Sequence, residues 1–234
     1  IPQRWQTVTQ TIPISDKKNI FFRLTGSGIL QANEKIMNER ERLLKSIDNN
    51  DIDDNEWVAA LAVKYRVIKN ENDKLDKPAL TELKKRVDIV PPSLALAQAA
   101  EESGWGTSRF AVQGNSLFGQ WDFSGKGIKP KDQRSELGDY GIAAFESPQA
   151  SIEAYMLNLN THNAYQRMRQ KRAVFRQQEK QPTGWDLAKT LDKYSERGIE
   201  YVKSLHAIMS YNKLNPADQA YLWDKGKIIV SPAP

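Results

Sequence analysis

The alanine-rich stretch LALAQAAEESGW at residues 94–105 constrains this chain more than any other segment. Alanine has the highest helix propensity of all residues, so the stretch predicts an α-helix. The two prolines before it end the preceding helix, and Ser93 is a favourable N-cap for the new one. Gly104 and Gly106 predict the end of this helix and leave open space beside it.

Two adjacent acids near the end of this helix are predicted to have different surroundings. At about 100° per residue, one helix face carries Ala95, Gln98, Glu102 and Trp105, and Glu101 points about a quarter-turn away. A carboxyl group beside an indole and an alanine-lined wall is partly desolvated, which raises its pKa, as a general acid near neutral pH requires. Glu102 is therefore the candidate acid and Glu101 a solvated surface acid. On spacing alone, a helix-terminal carboxylate beside a core tryptophan is the alternative.

Helical periodicity extends over most of the remaining chain. We predict two amphipathic helices between residues 16 and 45, broken near the glycines of TGSG, and further helices over 56–67 and 78–87. Periodicity returns after Ser147 in the segments SPQASIEAYMLNLN, DLAKTLDKY and IEYVKSLHAIMSYN. Between residues 120 and 146, glycines punctuate short aromatic and β-branched pieces, which predicts a small β-hairpin or lobe.

The composition excludes several kinds of site. With 234 residues and no run of roughly 20 apolar residues, the chain is interpreted as one medium soluble domain with elaborations. The absence of cysteine excludes disulfides, thiolate metal ligands and cysteine nucleophiles. The two histidines, His162 and His206, are not spaced as a helical metal-binding pair, so we predict no metal and a structural role for each.

The net charge of +5 suits an anionic partner, either nucleic acid or an anionic cell-wall polymer. The basic residues are mixed with acidic ones in segments such as NERERLLK, as on a solvated helix face, and no nucleic-acid-binding motif accompanies them. We therefore predict no nucleic-acid partner. The sequence begins at Ile1 rather than Met, and we expect an upstream segment, such as an export signal, to have been removed.

The segment LALAQAAEESGWGTSRFAVQGNSLFGQW resembles the signature of the glucosaminidases, glycoside hydrolase family 73. In that family, a pattern close to AQAxLESGWGxS is followed by NLFG; here the two elements read AQAAEESGWGTS and NSLFG. The stretch KKNIFFRLTGSGILQANEKIMNERERL is similar to the Bax-type glucosaminidases of bacteria in particular. The resemblance implies a mainly helical, lysozyme-like fold with a small β-hairpin lobe beside a substrate groove and extra N-terminal helices.

The resemblance covers residues 16–214 and implies a division of the chain. We expect an extended tail over 1–15, a helical extension over 16–90, a lysozyme-like catalytic domain over 91–214 and a C-terminal tail over 215–234. The C-terminal tail is expected to pack against the rest of the protein.

Site residues follow from the resemblance position by position. The acid that precedes SGWG is the family's catalytic general acid, which is Glu102 in this sequence. Asn115 and Phe118 belong to NSLFG and match the element that shapes the cleft. The two tyrosines of a late family segment match Tyr194 and Tyr201, although SER replaces the family's usual TDP between them.

The second carboxylate of the family, where present, lies in the hairpin lobe. Glu136 fits this position best, followed by Asp139 and Glu146. As a general base in an inverting enzyme, Glu136 would lie about 6.5–9.5 Å from the acid, which leaves room for a water molecule. The alternative is attack by the 2-acetamido group of the substrate itself, steered by Tyr194. The sequence leaves both mechanisms open.

Sugar rings have apolar faces edged by hydroxyl groups, so aromatic walls and amide partners are expected in the cleft. Trp121, Phe123 and Tyr140 lie in or near the predicted lobe and would form such walls. The other predicted substrate-binding residues are Gln98, Trp105, Asn115, Phe118 and Tyr201.

The predicted function is hydrolysis of the glycan backbone of peptidoglycan by an endo-β-N-acetylglucosaminidase. We expect a monomer that needs no cofactor and acts in the periplasm or cell envelope. A lytic transglycosylase, which uses one acid and forms an anhydro sugar, is the first alternative. A non-catalytic peptidoglycan-binding module is the second. The broader name of the family includes the N-glycan core as a substrate, which the bacterial character of the chain disfavours.

Overall fold

The computed structural model describes residues 1–2, 4–52, 55–131 and 140–222. Within these ranges the helices are α1 (Arg4–Val8), α2 (Ile14–Asp48), α3 (Glu56–Lys64), α4 (Lys77–Arg86), α5 (Pro92–Ser103), α6 (Arg109–Gly114), α7 (Pro148–Thr161), α8 (Gln166–Gln177), α9 (Gly184–Ala188) and α10 (Ile199–Tyr211). Short 3-10 turns cover Asn163–Tyr165 and Asn215–Gln219. Strands β1 (Trp121–Asp122) and β2 (Gly141–Ile142) pair antiparallel, with Trp121 opposite Ile142. The predicted mainly helical fold with a small hairpin lobe is confirmed.

Helix α5 lies at the centre of the molecule. Every residue from Pro92 to Ala100 is buried, and the helix packs against α2, α9 and α10. Small alanine side chains on several of its faces allow neighbouring helices to approach closely on all sides. The alanine-rich stretch therefore forms the buried axis of the fold, and Glu102 lies in its last turn.

The start of α5 differs from the prediction. The helix begins at Pro92, with Pro91 at the cap, so Ser93 is already inside it. Ser93 instead donates from its backbone N–H (2.8 Å) and its hydroxyl (2.9 Å) to the buried carboxylate of Asp218. The same carboxylate accepts from the backbone N–H of Gly184 at the start of α9 (2.8 Å). The C-terminal 3-10 turn thus packs against α5 and α9 and satisfies free backbone donors at the N-termini of both helices.

Helix α2 is one continuous helix, so the predicted break near TGSG is wrong. Glycine lowers helix propensity by about 1 kcal/mol relative to alanine, but tertiary packing overrides this preference. A β-carbon at Gly28 would lie 2.7 Å from Cδ1 of Ile152 in α7. The glycine therefore permits close contact between two helices and does not interrupt either of them.

The N-terminal residues also differ from the predicted extended tail, because residues 4–8 form α1. The indole of Trp5 donates to the backbone carbonyl of Trp105 (3.2 Å), and the side chain of Gln6 donates to the carbonyl of Thr107 (2.7 Å). Two prolines and weak periodicity gave no indication of this helix, since a single helical turn depends on tertiary contacts for its stability.

Two hydrophobic clusters divide the core at a different place from the expected boundary at residue 90. Helix α2 contributes Phe21, Ile29 and Ile36 to the main cluster around α5. Nearer its C-terminal end, Leu43 packs with α3 and α4 in a smaller cluster that includes Tyr65. The N-terminal extension therefore shares the main core.

No helix in the described part of the chain combines the length and the apolar character that crossing a membrane would require.

A buried ion cluster around Asp88 joins the N-terminal helices to α8. The carboxylate of Asp88 accepts from Arg176 through both oxygens (3.0 and 2.7 Å), and Arg172 and Arg40 each lie 3.7 Å away. Burial by itself would raise the pKa of Asp88, but the three arginines outweigh it and lower this pKa. The backbone carbonyl of Asp88 accepts from Asn160 in α7 (2.9 Å).

Replacing Asp88 with asparagine should lower the free energy of unfolding at pH 7 by about 3 kcal/mol or more, because it leaves buried arginines without a counterion. Since the folded pKa of Asp88 is lowered, its contribution is complete above the unfolded value of about 4 and is lost as the pH falls through the folded value. Urea denaturation of both proteins should therefore show the difference shrinking between neutral pH and acid.

The control is Asp48→Asn, at an exposed position near the end of α2. This substitution should change the stability by less than about 0.5 kcal/mol at either pH. A stability difference for Asp88→Asn that does not depend on pH would contradict the electrostatic role.

Candidate active site

A cleft of about 1030 Å³ opens beside the end of α5. Its described lining comes from five regions of the chain: the segment after α3, the last turn of α5, the NSLFG element with the start of the hairpin lobe, the end of α7 with the following turn, and the loop between α9 and α10. The lining residues are Arg66, Glu102, Phe118, Gly119, Gln120, Trp121, Phe123, Asn158, His162, Ala164, Tyr165, Lys193, Tyr194, Ser195, Glu196 and Arg197.

Glu102 is half-buried in the wall of this cleft. The backbone of the NSLFG element approaches it closely: a β-carbon at Gly119 would lie 3.4 Å from Oε2 of Glu102. Gly119 has a φ of 60°, the left-handed conformation that other residues rarely adopt. Burial raises the pKa of Glu102, as predicted for a general acid, and the charge of Glu101 acts in the same direction.

A chain of buried hydrogen bonds holds the Glu102 carboxyl group. The hydroxyl of Tyr155 donates to Oε1 of Gln98 (2.6 Å), and Nε2 of Gln98 donates to the hydroxyl oxygen of Tyr201 (2.9 Å). With this oxygen already accepting, the Tyr201 proton is directed to Glu102, to which its side chain is hydrogen bonded. This bond favours the charged carboxylate and so opposes the effect of burial on the pKa of Glu102.

Gln98 and Tyr201 were predicted to bind substrate, and the structure places both behind the cleft surface. Gln98 is completely buried and Tyr201 is 1% exposed. Both act on the cleft through Glu102. Their positions show why a polar side chain is tolerated inside the alanine-rich helix: each polar atom of the Gln98 amide group has a tyrosine partner.

Three tyrosines form a layer next to the acid. Tyr194 stacks on Tyr201 with ring centroids 5.3 Å apart and lies 5.7 Å from Tyr165. The hydroxyl of Tyr194 donates to the backbone carbonyl of Phe118 (3.2 Å), whose ring stacks on Tyr155. Burial, with the charge of Glu102, raises the pKa of Tyr194 well above its ordinary value. Tyr194 therefore stays protonated and offers a neutral hydroxyl group at the cleft wall.

The hairpin lobe supplies aromatic surface to the cleft. Trp121 is 48% exposed and Phe123 is 65% exposed, and both line the cleft. Tyr140 is buried and stacks behind Trp121, with ring centroids 5.1 Å apart. Trp121 and Phe123 thus present rings to a ligand, while Tyr140 supports one of them.

Trp105 and Asn115 lie away from the cleft. Trp105 follows the end of α5 with a φ of 63°, so the predicted helix face does not reach it. Its indole packs edge-on against Phe21 and Phe22 of α2. Asn115 ends α6 in the left-handed conformation, donates to the carbonyl of Phe145 (3.0 Å) and accepts from the amino group of Ile1. Burial therefore raises the pKa of Glu102 at a site where the predicted indole does not line the cleft.

The predicted second carboxylates, Glu136 and Asp139, lie outside the described residues. Glu146 is exposed and does not line the cleft. The acids in the described lining are Glu102 and Glu196. Glu101, predicted to be a solvated acid, forms an ion pair with Arg197 (2.5 Å) at the cleft edge.

Several lining residues were not predicted from the sequence. Asn158 and Tyr165 lie in a segment that resembled the family without a recognised motif. For Asn158, the spacing of three residues from Tyr155 on one face of α7 was the available signal, whereas Tyr165 lies in the turn after that helix. Arg66 follows α3 in the N-terminal extension, and no local pattern connects it to Glu102. His162 caps the 3-10 turn through its Nδ1 (3.2 Å) and lines the cleft, while His206 stacks on Trp185.

The described residues contain no cluster of three or more histidine or acidic side chains suited to a metal. The arrangement that they do contain is one half-buried carboxyl group, held by a tyrosine in an aromatic-lined cleft of a mainly helical body. This arrangement is that of a lysozyme-like glycosidase.

Comparison with known proteins agrees with this class. Residues 77–214 match the glucosaminidase family, described as mannosyl-glycoprotein endo-beta-N-acetylglucosaminidase, and the chain belongs to this family. Membership indicates a glycoside hydrolase with a glycan substrate. The chain is 32% identical over 204 residues to Protein bax of Escherichia coli strain K12, which covers 84% of this chain and 70% of that protein. No solved structure matches the chain.

The hydrogen bond from Tyr201 predicts a measurable effect on Glu102. Tyr201→Phe removes the donor to the carboxylate, so the pKa of Glu102 should rise further above its ordinary value. Titration of ¹³C-labelled glutamate carboxyl groups by NMR would measure this pKa, with Glu102→Gln identifying the resonance.

The matched control is Tyr194→Phe. The ring of Tyr194 stacks on the ring of Tyr201, but the Tyr194 hydroxyl group donates to the backbone carbonyl of Phe118. Its loss should move the pKa of Glu102 less than the loss of the Tyr201 hydroxyl group does. Equal shifts in the two variants would argue against a specific bond from Tyr201.

Proposed function

We propose that this protein is an endo-β-N-acetylglucosaminidase that hydrolyses the glycan backbone of peptidoglycan with Glu102 as its general acid. The observation that carries the proposal is the placement of Glu102, half-buried at the wall of an open cleft with a raised pKa. A carboxyl group of raised pKa is protonated at a pH where free carboxylates are charged, so it can protonate a leaving oxygen.

The surroundings of Glu102 suit both halves of its task. Burial favours the neutral acid before the reaction, and the bond from Tyr201 stabilises the carboxylate that forms once the proton has been transferred. Because Gln98 and Tyr155 hold the Tyr201 hydroxyl group in place, no reorganisation of this donor is needed during the reaction.

The remaining steps follow from the chemistry of glycosidic bonds. The proton of Glu102 goes to the glycosidic oxygen as the bond to the anomeric carbon breaks, and water then attacks that carbon. We assign the removal of the water proton to Glu136, in an inverting arrangement. The alternative is attack by the 2-acetamido group of the substrate, with Tyr194 at the cleft wall as the donor or acceptor that would orient it.

The shape of the cleft supports a polymeric substrate. Five separate regions of the chain line it, and the exposed rings of Trp121 and Phe123 match the apolar faces of sugar rings. An open cleft admits a strand from the side, as cleavage within a chain requires. Peptidoglycan lies outside the cytoplasmic membrane, so we place the activity in the periplasm or cell envelope.

Glu102→Gln should lower the rate of peptidoglycan digestion by about 10²–10⁴-fold, because it removes the transferable proton and preserves the shape of the side chain. Mass spectrometry of borohydride-reduced products should detect N-acetylglucosaminitol ends with the wild type and almost none with the variant. The matched control, Glu101→Gln, should keep most of the activity and shift the alkaline limb of the pH profile to lower pH, because the Glu101 charge raises the pKa of Glu102.

Other products would point to the alternatives. Anhydro-muramyl ends would identify a lytic transglycosylase. An absence of products from the wild type, together with retained binding to peptidoglycan, would identify a non-catalytic module.

The second carboxylate can be identified by comparing Glu136→Gln with Glu196→Gln. We expect Glu136→Gln to lower the rate, because no base then accepts the water proton, and Glu196→Gln to retain activity. Early product measured by ¹H NMR should be the α-anomer, since attack by water inverts the configuration of a β-linked sugar. A β-anomer, with both variants active, would instead establish attack by the 2-acetamido group.

A further inference from the structure

The cleft has one wall that does not come from the glucosaminidase segment. Arg66 follows α3 in the N-terminal extension, precedes the residues shared with the family, and lines the same cleft as Glu102. Its backbone is held in place because Nη1 of Arg86 donates to the carbonyls of Tyr65 (3.0 Å) and Arg66 (2.8 Å). Tyr65 is buried in the smaller hydrophobic cluster, so the position of Arg66 is fixed by the core beneath it.

The guanidinium group of Arg66 is exposed and makes no hydrogen bond or ion pair with the described parts of the chain. Lys193, in the loop between α9 and α10, also lines the cleft, and its side chain makes no hydrogen bond or ion pair with these residues. The third cation of the described lining, Arg197, is already paired with Glu101. Among the described residues, the cleft therefore presents two cations that are not held in an ion pair.

These cations have no counterpart on the sugar backbone itself, because N-acetylated rings are neutral. The anionic group of peptidoglycan is the branch on muramic acid, which ends in a lactyl carboxylate or, where a peptide is attached, carries the carboxylates of that peptide. Arginine presents a planar fork of donors that fits a carboxylate with two parallel hydrogen bonds. Exposed cations also attract such a strand at a distance.

We propose that Arg66 binds a carboxylate of the muramic acid branch, with Lys193 adding to the positive potential, so that the N-terminal extension selects branched anionic glycan over neutral glycan. This proposal rests on the proposed peptidoglycan substrate. It gives the extension a part in substrate recognition, in addition to its part in the core.

The side chain of Arg66 can be removed without straining the backbone. Its φ of 56° is a conformation that glycine adopts without steric cost, so Arg66→Gly should fold as well as the unsubstituted protein. Lys213→Gly is the matched control, because Lys213 has a φ of 54°, follows α10 and does not line the cleft. Both substitutions remove one positive charge at a left-handed position.

Binding to purified sacculi is measured for both variants in a Glu102→Gln background, which prevents digestion. We expect Arg66→Gly to weaken binding on the order of fivefold and Lys213→Gly to leave it nearly unchanged. Arg66→Lys should fall between the two, since it keeps the charge and loses the fork. Sacculi whose carboxylates have been converted to methylamides should bind the Arg66→Gly and Lys213→Gly proteins equally.

Sacculi stripped of peptides by an amidase identify the source of the carboxylate. A persisting effect of Arg66→Gly assigns the lactyl carboxylate, and a vanished effect assigns the peptide. Equal binding of Arg66→Gly and Lys213→Gly to native sacculi overturns the proposal, as does an effect that survives methylamidation. The proposed function is judged separately, by the reducing ends that the wild type releases, so a binding difference without cleavage would retain the subsite and reject the enzyme.

Discussion

The burial of α5 on nearly all its sides is the constraint on which the rest of the structure depends. A helix at the centre of a domain must satisfy its terminal donors inside the protein, and it must carry few large side chains if neighbours are to pack around it. Asp218, in the C-terminal 3-10 turn, accepts from the backbone N–H of Ser93 at the start of the helix, and the alanines leave room for neighbouring helices. Because the axis is fixed in this way, its last turn holds Glu102 at a defined depth in the cleft wall.

Two networks of buried polar residues cross this core. Gln98 links Tyr155 to Tyr201 and through it to Glu102, so the packing of α7 and α10 against α5 is coupled to the protonation of the acid. Buried networks of this kind are costly when incomplete and specific when complete. Asp88 and its arginines join the N-terminal helices to α8 in a similar way.

Glu102 and the lobe that carries Trp121 were predictable, since both depend on local features: helix propensity, glycine spacing and a short signature. The roles of residues that depend on neighbours distant in sequence could not be predicted. Trp105 and Asn115 belong to the two motifs that resemble the family most closely. They nevertheless contact the N-terminal segment and not the cleft, because the backbone is left-handed at both positions. Tyr155 and Arg66 have no distinguishing local pattern: Tyr155 donates to Gln98, 57 positions away, and Arg66 lines the same cleft as Glu102, which lies in a different helical region.

By itself, the sequence determined the helical class and the small hairpin lobe and indicated Glu102 as the candidate acid, because each of these follows from short-range propensity or from a contiguous motif. Only the tertiary structure decided that α2 is unbroken, that tyrosines and not an indole surround Glu102, and that the N-terminal extension lines the cleft. The physical reason is that packing and hydrogen bonding between distant segments outweigh local preferences of about 1 kcal/mol per residue.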